Sequence, residues 1–272
     1  MTETDVGPSV HVDYRTEGDV AIVTTANPPA EVASMELISG VRRAVERATA
    51  EGVRAMVIKS DARLFSGGAD VNMFKDKDIH QAKAMFTEGM RTIAALEDAP
   101  FPVIAAVQGL CYAAGLELAL ACDFIYASED TVFSQVEAFI GATTFLGGVY
   151  RLAERCGPAI AREIVYTADD YSARQFADWH IVNKVVPRDE LHSTVLSLAK
   201  RIAAGPKLAH ATTKRLVRHA LAHGSRSTDE VLLHDATWLL PSQDMQNAVS
   251  RLVEVGARRF RATRDETFFE GR

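Results

Sequence analysis

Two glutamates and two small-residue loops are the parts of this 272-residue chain whose types and spacing suit chemistry. Glu117 opens an apolar helix pattern directly after Ala113-Ala114-Gly115, and Glu137 lies further on among Phe133, Val136, Phe139 and Ile140. An acid in apolar company is unusual unless it is paired or functional; a solvated loop position is the other reading of Glu137. An apolar strand that stops at Gln108-Gly109 and turns into a helix leaves backbone N–H groups unpaired, and developing negative charge is stabilised by such groups. The loop Phe65-Ser66-Gly67-Gly68-Ala69-Asp70 is a second such place, because its glycines let backbone approach a ligand and aim the Ala69 N–H. Taken singly, the first loop also reads as a packed helix start with Glu117 near the helix dipole. The second reads as an ordinary turn. Taken together they change character. Two N–H groups from two loops are what an oxyanion hole for a thioester carbonyl needs, and two flanking carboxylates are what proton transfer beside that carbonyl needs.

Other chemistries fit less well. His80, His180, His192, His210, His219, His223 and His234 are scattered and make no metal-ligand spacing. Ser66 and Ser134 lack a nucleophile-elbow context. The Gly67-Gly68 loop has no phosphate-loop lysine and is not a dinucleotide fingerprint. A net charge of −6 argues against nucleic acid or an anionic membrane as partner. The three cysteines, Cys111, Cys122 and Cys156, have no zinc spacing and read as free thiols in a reducing compartment. Residues 1–8 carry no basic end and no apolar run, so no secretion signal is read there. The longest apolar region, 101–127, is interrupted by Gln108, Glu117 and Asp123, unlike a lipid-spanning helix. The expectation is a cytoplasmic protein.

The elements that position the acids follow from hydrophobic period and punctuation. Residues 10–14 and 20–25 read as strands joined by a turn at Glu17-Gly18-Asp19. Ser34 is a good N-cap for a helix over 35–50 that Gly52 stops. Residues 55–59 are a strand buried on both faces. Residues 71–74 start a short helix, 76–78 are a charged interruption, and 79–97 are a long helix. Residues 103–107, 124–127, 131–133 and 182–186 read as strands; 149–156, 158–167 and 173–179 read as helices, and 141–148 as a loop. From residue 189 on, four helical patterns follow without a strand. The chain therefore divides into a strand-bearing core over 1–188 and a helical region over 189–272. Helices that do not fold back would bury their apolar stripes on another subunit. The last dozen residues are polar around Phe268-Phe269 and read as frayed or as docked by those rings.

These motifs together resemble the crotonase, or enoyl-CoA hydratase/isomerase, superfamily over nearly the whole length. Leu64-Phe65-Ser66-Gly67-Gly68-Ala69-Asp70-Val71 is similar to the family's FSAGADI segment. Val107-Gln108-Gly109, Ala113 to Ala119 and Ala121-Cys122-Asp123 are similar to VxG…GGGxELAxxCD. Phe133-Ser134-Gln135-Val136-Glu137 is similar to FGQPE, Gly147-Gly148 with Arg151-Leu152 to GGTQRL, 173–187 to ALxxGLVNxVVP, and Phe269 to Arg272 to FxGR. The chain departs from the pattern at four places. Ala113-Ala114 replaces a glycine pair, whose methyl is tolerated if φ stays negative. Val136 replaces the proline before the second acid. Thr144-Phe145-Leu146 replaces Pro-Gly-Ala. Glu31-Val32-Ala33-Ser34 stands where NALS is usual.

The resemblance implies an α/β fold, a crotonase-type spiral of ββα units with a helical C-terminal oligomerisation region that builds a homotrimer or a hexamer. It implies oxyanion donors at the Ala69 and Ala114 N–H groups and catalytic acids at Glu117 and Glu137. It implies a coenzyme A thioester as substrate, with no prosthetic group. The adenine end would lie near Ala30, Ser66, Asp70 and Val71 and the acyl group near Phe145 and Leu146, with Gly68 and Gly115 as further substrate-binding positions. Hydration of a 2-enoyl-CoA is the reaction two retained acids fit best. Isomerisation, decarboxylation or retro-aldol cleavage through the same enolate is the alternative, and a CoA-ester-binding protein without turnover the third.

Overall fold

The computed structural model describes residues 10–263 and 267–272, so residues 1–8 lie outside its description. The first hairpin forms where alternation and Gly18 place it: β1 (His11–Glu17) pairs antiparallel with β2 (Val20–Ala26). Helix α1 (Met35–Glu51) starts at Ser34, whose hydroxyl accepts the Leu37 N–H at 3.2 Å, and stops at Gly52. Its buried stripe includes Leu37, Ile38, Val41 and Val45. Each of these side chains is worth about 1.5–3 kcal/mol when fully buried, which outweighs anything propensity supplies. The chain then enters β3 (Ala55–Ser60), parallel to β2.

The charged residues 76–78 interrupt the helical pattern as expected: Asp76 and Lys77 link the 71–74 turn to α2 (Ile79–Asp98), and Asp78 is its N-cap. Asp78 accepts the His80 and Gln81 N–H groups, and Gln81 reaches back in a capping box. After α2 comes β4 (Val103–Val107), every residue of which is buried because it lies between β3 and a later strand. Gln108-Gly109 then turns the chain sharply. Gly109 has φ +63, and a Cβ there would sit 2.5 Å from the Arg63 carbonyl, so only glycine fits. The turn leads into β5 (Leu110–Tyr112), three residues to which the sequence pattern assigns no element, and then into α3 (Ala114–Leu120).

The next units repeat the plan. Strand β6 (Phe124–Ser128) joins the main sheet, and β7 (Val132–Ser134) joins β5. Helices α4 (Gly148–Cys156) and α5 (Pro158–Thr167) follow, then β8 (Tyr171–Ser172), α6 (Ala173–Asp178) and β9 (Lys184–Val186). The main sheet has six strands in the order β1-β2-β3-β4-β6-β9, parallel except for the first pair. The second has three strands in the order β5-β7-β8. Single parallel bridges, Ser66 with Cys111 and Ala33 with Ala69, continue that second layer through the small-residue loop. The α/β spiral is thus made of units that give one strand to each layer and then a helix.

Alternate residues of the central strands feed two cores. Met56, Ile58, Ala105 and Val107 face α1 to α3, whereas Val57, Ile104 and Ala106 face α7 (Leu191–Ala203). Helix α7 therefore folds back on the sheet. Helix α8 (Lys207–His223) is tied to the core by Lys214, which donates to Leu96 O, Phe101 O and the Asp123 carboxylate at 2.9, 3.2 and 2.7 Å. Helices α9 (Ser225–Asp235), α10 (Gln243–Val255) and α11 (Ala257–Ala262) carry exposed Leu233 and Val253. No strand follows β9 among the described residues.

The C-terminus is docked through its backbone, and of its two rings Phe269 is half-buried. Asp244 is 4% exposed and accepts the Glu270 and Gly271 N–H groups, while Arg54 donates to the Phe269 carbonyl. Phe268 faces solvent. No helix among the described residues is long and apolar enough to cross a membrane.

Candidate active site

Glu117 sits in the first turn of α3 and is 2% exposed. One of its oxygens, Oε1, accepts the Leu146 N–H at 2.7 Å and the Gly148 N–H at 2.9 Å. These donors belong to the start of α4, so the acid of one helix caps the entry to another. Glu137 stands on a 3₁₀ turn, Val136–Ile140, and is 8% exposed, which excludes the solvated loop position. With its amide nitrogen turned toward the acid, buried Gln135 donates to both Glu137 oxygens at 2.9 and 3.0 Å. Burial pushes both carboxyls up to about 7. For Glu117 the Gly148 and Leu146 N–H groups and Arg151 pull the other way, and the charge of Glu137 adds to the rise.

Both acids line one apolar cavity of about 130 Å³. Among its described lining residues they are the only ionisable ones. Gly68, Ala69, Val71, Ala114, Phe145 and Leu146 line the same cavity. The N–H groups of Ala69 and Ala114 have no acceptor among the described residues, although their neighbours do: Gly68 N–H is held by Ser66 Oγ, Asp70 N–H by Ala33 O and Ala113 N–H by Ser134 O. Two unpaired backbone donors beside two high-pKa acids can stabilise a developing oxyanion and move protons next to it.

Of the remaining expected residues, Ala30, Ser66, Asp70 and Gly115 lie off the cavity wall. Ser66 is buried, and its hydroxyl donates to the Glu31 carbonyl at 2.8 Å, so its side chain is spent on holding the loop. Gly115 lies against it, since a Cβ there would be 2.3 Å from Ser66 Cβ. Gly115 thus lets α3 approach the loop and brings the two free N–H groups into one wall. The Ala30 carbonyl accepts the Gly67 N–H at 2.9 Å, and Asp70 accepts the Asn72 N–H at 3.0 Å. Val71 is exposed at the cavity mouth.

The negative φ on which tolerance of the alanine methyls depends holds at Ala114, in α3, but not at Ala113. Ala113 has φ +45 and ψ −121, a left-handed setting that favours glycine. The reversal is what carries the chain out of β5 and sets Ala114 at the first position of α3. We expect Ala113→Gly to raise stability by about 1 kcal/mol, the relief of strain less the added chain entropy. Thermal unfolding checks this, and a lower midpoint would contradict it.

Several residues at the site carried no assigned role in the sequence reading. Gln135 holds Glu137, and Thr144 Oγ1 accepts the Val149 N–H at 3.0 Å. Phe86 stacks on Phe145 with centroids 4.1 Å apart, and Phe74 stands 6.0 Å from Phe145. Thr144 and Phe145 were legible as departures from the motif. Nothing local placed Phe74, on the 71–74 turn, or Phe86, on α2, at the cavity. No metal-binding cluster occurs among the described residues.

Comparison with known proteins follows the same geometry. Residues 15–262 match the model of the family described as enoyl-CoA hydratase/isomerase. A short-chain-enoyl-CoA hydratase of Clostridium acetobutylicum is 29% identical over 209 residues, 75% of this chain and 80% of that one. A carnitinyl-CoA dehydratase of Salmonella enteritidis is 34% identical over 164 residues, 60% of this chain and 62% of that one. The solved structure of an enoyl-CoA hydratase subunit I from Geobacillus kaustophilus superimposes with a TM-score of 0.88 at 28% identity, covering 97% of this chain and 99% of that one. The spiral, the two-layer loop geometry and a match over nearly all of the helical region make this chain a member of the enoyl-CoA hydratase/isomerase family.

Proposed function

We propose that the protein adds water across the double bond of a 2-enoyl-CoA to give a 3-hydroxyacyl-CoA. The observation that carries this reading is the pair of buried acids, both near 7, in one apolar cavity with two unpaired backbone N–H groups. Glu117, whose anion is favoured by two N–H donors, takes a proton from water as its oxygen bonds C3. The electron pair of the double bond moves onto the thioester oxygen, which Ala69 and Ala114 N–H groups stabilise. Glu137, which the Gln135 side-chain amide holds in place, delivers the proton to C2. The thioester substrate brings its own activating group, so no prosthetic group is invoked.

The test is loss of enoyl-thioester absorbance on mixing with crotonyl-CoA. Rapid loss is expected, and kcat/KM should follow a bell centred near neutral pH. It falls on the acid side as Glu117 takes a proton and on the alkaline side as Glu137 loses one. The two midpoints belong to the pair rather than to either acid. No loss with any enoyl chain length, despite CoA-ester binding, would move the reading to another reaction of the same enolate. The Thr144-Phe145-Leu146 wall is the observation that favours that second reading, because it narrows the acyl side of the cavity.

We further propose that the helical region joins three copies. Exposed Val217, Leu221, Leu233 and Trp238 support it, since apolar side chains at such positions are covered in an oligomer. Sedimentation of the purified protein as a monomer would overturn it. A cytoplasmic setting suits three cysteines free of disulfides.

A further inference from the structure

Arg151 is 6% exposed and lies behind the catalytic turn, not in the cavity. Its Nη1 donates to the Leu146 carbonyl at 2.9 Å and to the Gly147 carbonyl at 3.3 Å. Its Nε donates to Glu97 on α2 at 2.6 Å. The peptide between Gly147 and Gly148 is therefore held at both ends. Its carbonyl accepts from Arg151, and its N–H donates to Glu117 at 2.9 Å. A peptide polarised by a cation at its oxygen is a stronger donor at its nitrogen. There is also no slack in the turn, because a Cβ on Gly147 would lie 2.2 Å from Arg151 Nη1. Glu97 in turn meets Arg218 of α8 at 3.6 Å, so the outer helix ends the chain of contacts.

We propose that Arg151 is a positioning residue for Glu117, acting through the Gly147–Gly148 peptide, with Glu97 as the counter-charge that holds its guanidinium in place. The proposal rests on the reading of Glu117 as the base. The charges that face Glu117 are few. Glu137 comes from the 136–140 turn and Arg151 from α4, while α1 and α2 present Met35, Ile38, Phe86 and Gly89. Removing Arg151 takes away a cation and loosens both donors, so the Glu117 anion becomes less favourable and its midpoint rises. Neutralising Glu97 leaves the guanidinium unopposed, so the midpoint falls. Opposite signs from two substitutions in one ion pair are not the signature of a merely structural pair.

The experiment is a ¹³C titration of glutamate-labelled protein, with the Glu117 signal identified by its loss in Glu117→Gln. It is run on the parent, Arg151→Met, Arg151→Lys and Glu97→Gln, beside kcat and KM on crotonyl-CoA over pH. In Arg151→Met the midpoint is expected to rise by about one unit. Its kcat should fall by about ten- to a hundredfold with KM little changed, as for a slightly misplaced base. The acid limb of the rate profile should move with the titration. Arg151→Lys should restore the midpoint more than the rate, because it keeps the charge but not the fork. Glu97→Gln keeps the acceptor oxygen, so it tests the proposal even if Arg151→Met does not fold. A Glu117 midpoint unmoved in both folded variants, or moved the same way in both, overturns the proposal. The titration needs no turnover, so if the parent hydrates no enoyl-CoA of any chain length the hydratase reading fails while the Glu117 midpoints still decide whether Arg151 positions that acid.

Discussion

Glu117→Gln is expected to lower kcat for crotonyl-CoA by about a hundred- to ten-thousand-fold, the usual loss for a positioned base, while CoA-ester affinity is kept. The side chain retains its shape, and Oε1 still accepts the Leu146 and Gly148 N–H groups. What disappears is the ability to take the water proton. Glu137→Gln should fail as badly, for want of the proton delivered to C2. Near-parental turnover in either variant would break the assignment of roles.

The same substitution should stabilise the protein, and the sign follows from the shift. The folded-state pKa of Glu117 lies near 7, above its ordinary 4.5, with burial as the first cause. The folded state therefore binds the proton more tightly than the unfolded chain does. The resulting penalty is absent below about pH 4.5, grows as pH rises toward 7, and is complete above it. At 1.36 kcal/mol per unit it reaches at most about 3–4 kcal/mol, less whatever the two N–H bonds lose in strength when the charge goes. Urea unfolding at about pH 8 should thus favour Glu117→Gln over the parent, with the gap closing near pH 4. An equal difference at both pH values would mean that ionisation is not its source.

Legibility from sequence followed the length of the pattern. Helix α1 was readable from Ser34, its apolar stripe and Gly52, and β4 from five consecutive apolar residues. Glu137 stood out because burying a carboxyl among apolar side chains is costly unless the group is paired or used, whereas Glu117 drew notice from its place beside the small-residue turn, and the motifs taken together paired the two. Strand β5 was not, since three residues between Gly109 and Ala113 carry no period, and only pairing with β7 makes them a strand. The left-handed backbone at Ala113 was hidden for the opposite reason: alanine argues against it locally, and tertiary structure overrides the preference. Arg151 appeared in a motif, but nothing in its neighbours reveals that it bonds carbonyls on one side and Glu97 on the other.

Phe145→Ala is expected to shift preference toward longer enoyl chains. Phe145 stacks on Phe86, with Phe74 beside it, at the wall of a cavity of only about 130 Å³. Removing one ring opens that wall where the acyl end would grow. A buried methylene is worth about 0.8 kcal/mol, so accommodating the four that separate octenoyl-CoA from crotonyl-CoA should raise kcat/KM for the former relative to the latter by roughly a hundred- to three-hundredfold. Phe86→Ala should act the same way from the other ring. An unchanged ratio in both variants would show that the aromatic cluster does not limit chain length. The turn itself should survive the change. Phe145 is 37% exposed, whereas its neighbours carry the structural duties: Thr144 accepts the Val149 N–H, Leu146 is buried, and the Leu146 N–H holds Glu117. Turnover of crotonyl-CoA should therefore change far less than the ratio. A large fall in it would mean that ring and base move together, because one short loop both walls the acyl site and supplies the donors that fix the acid.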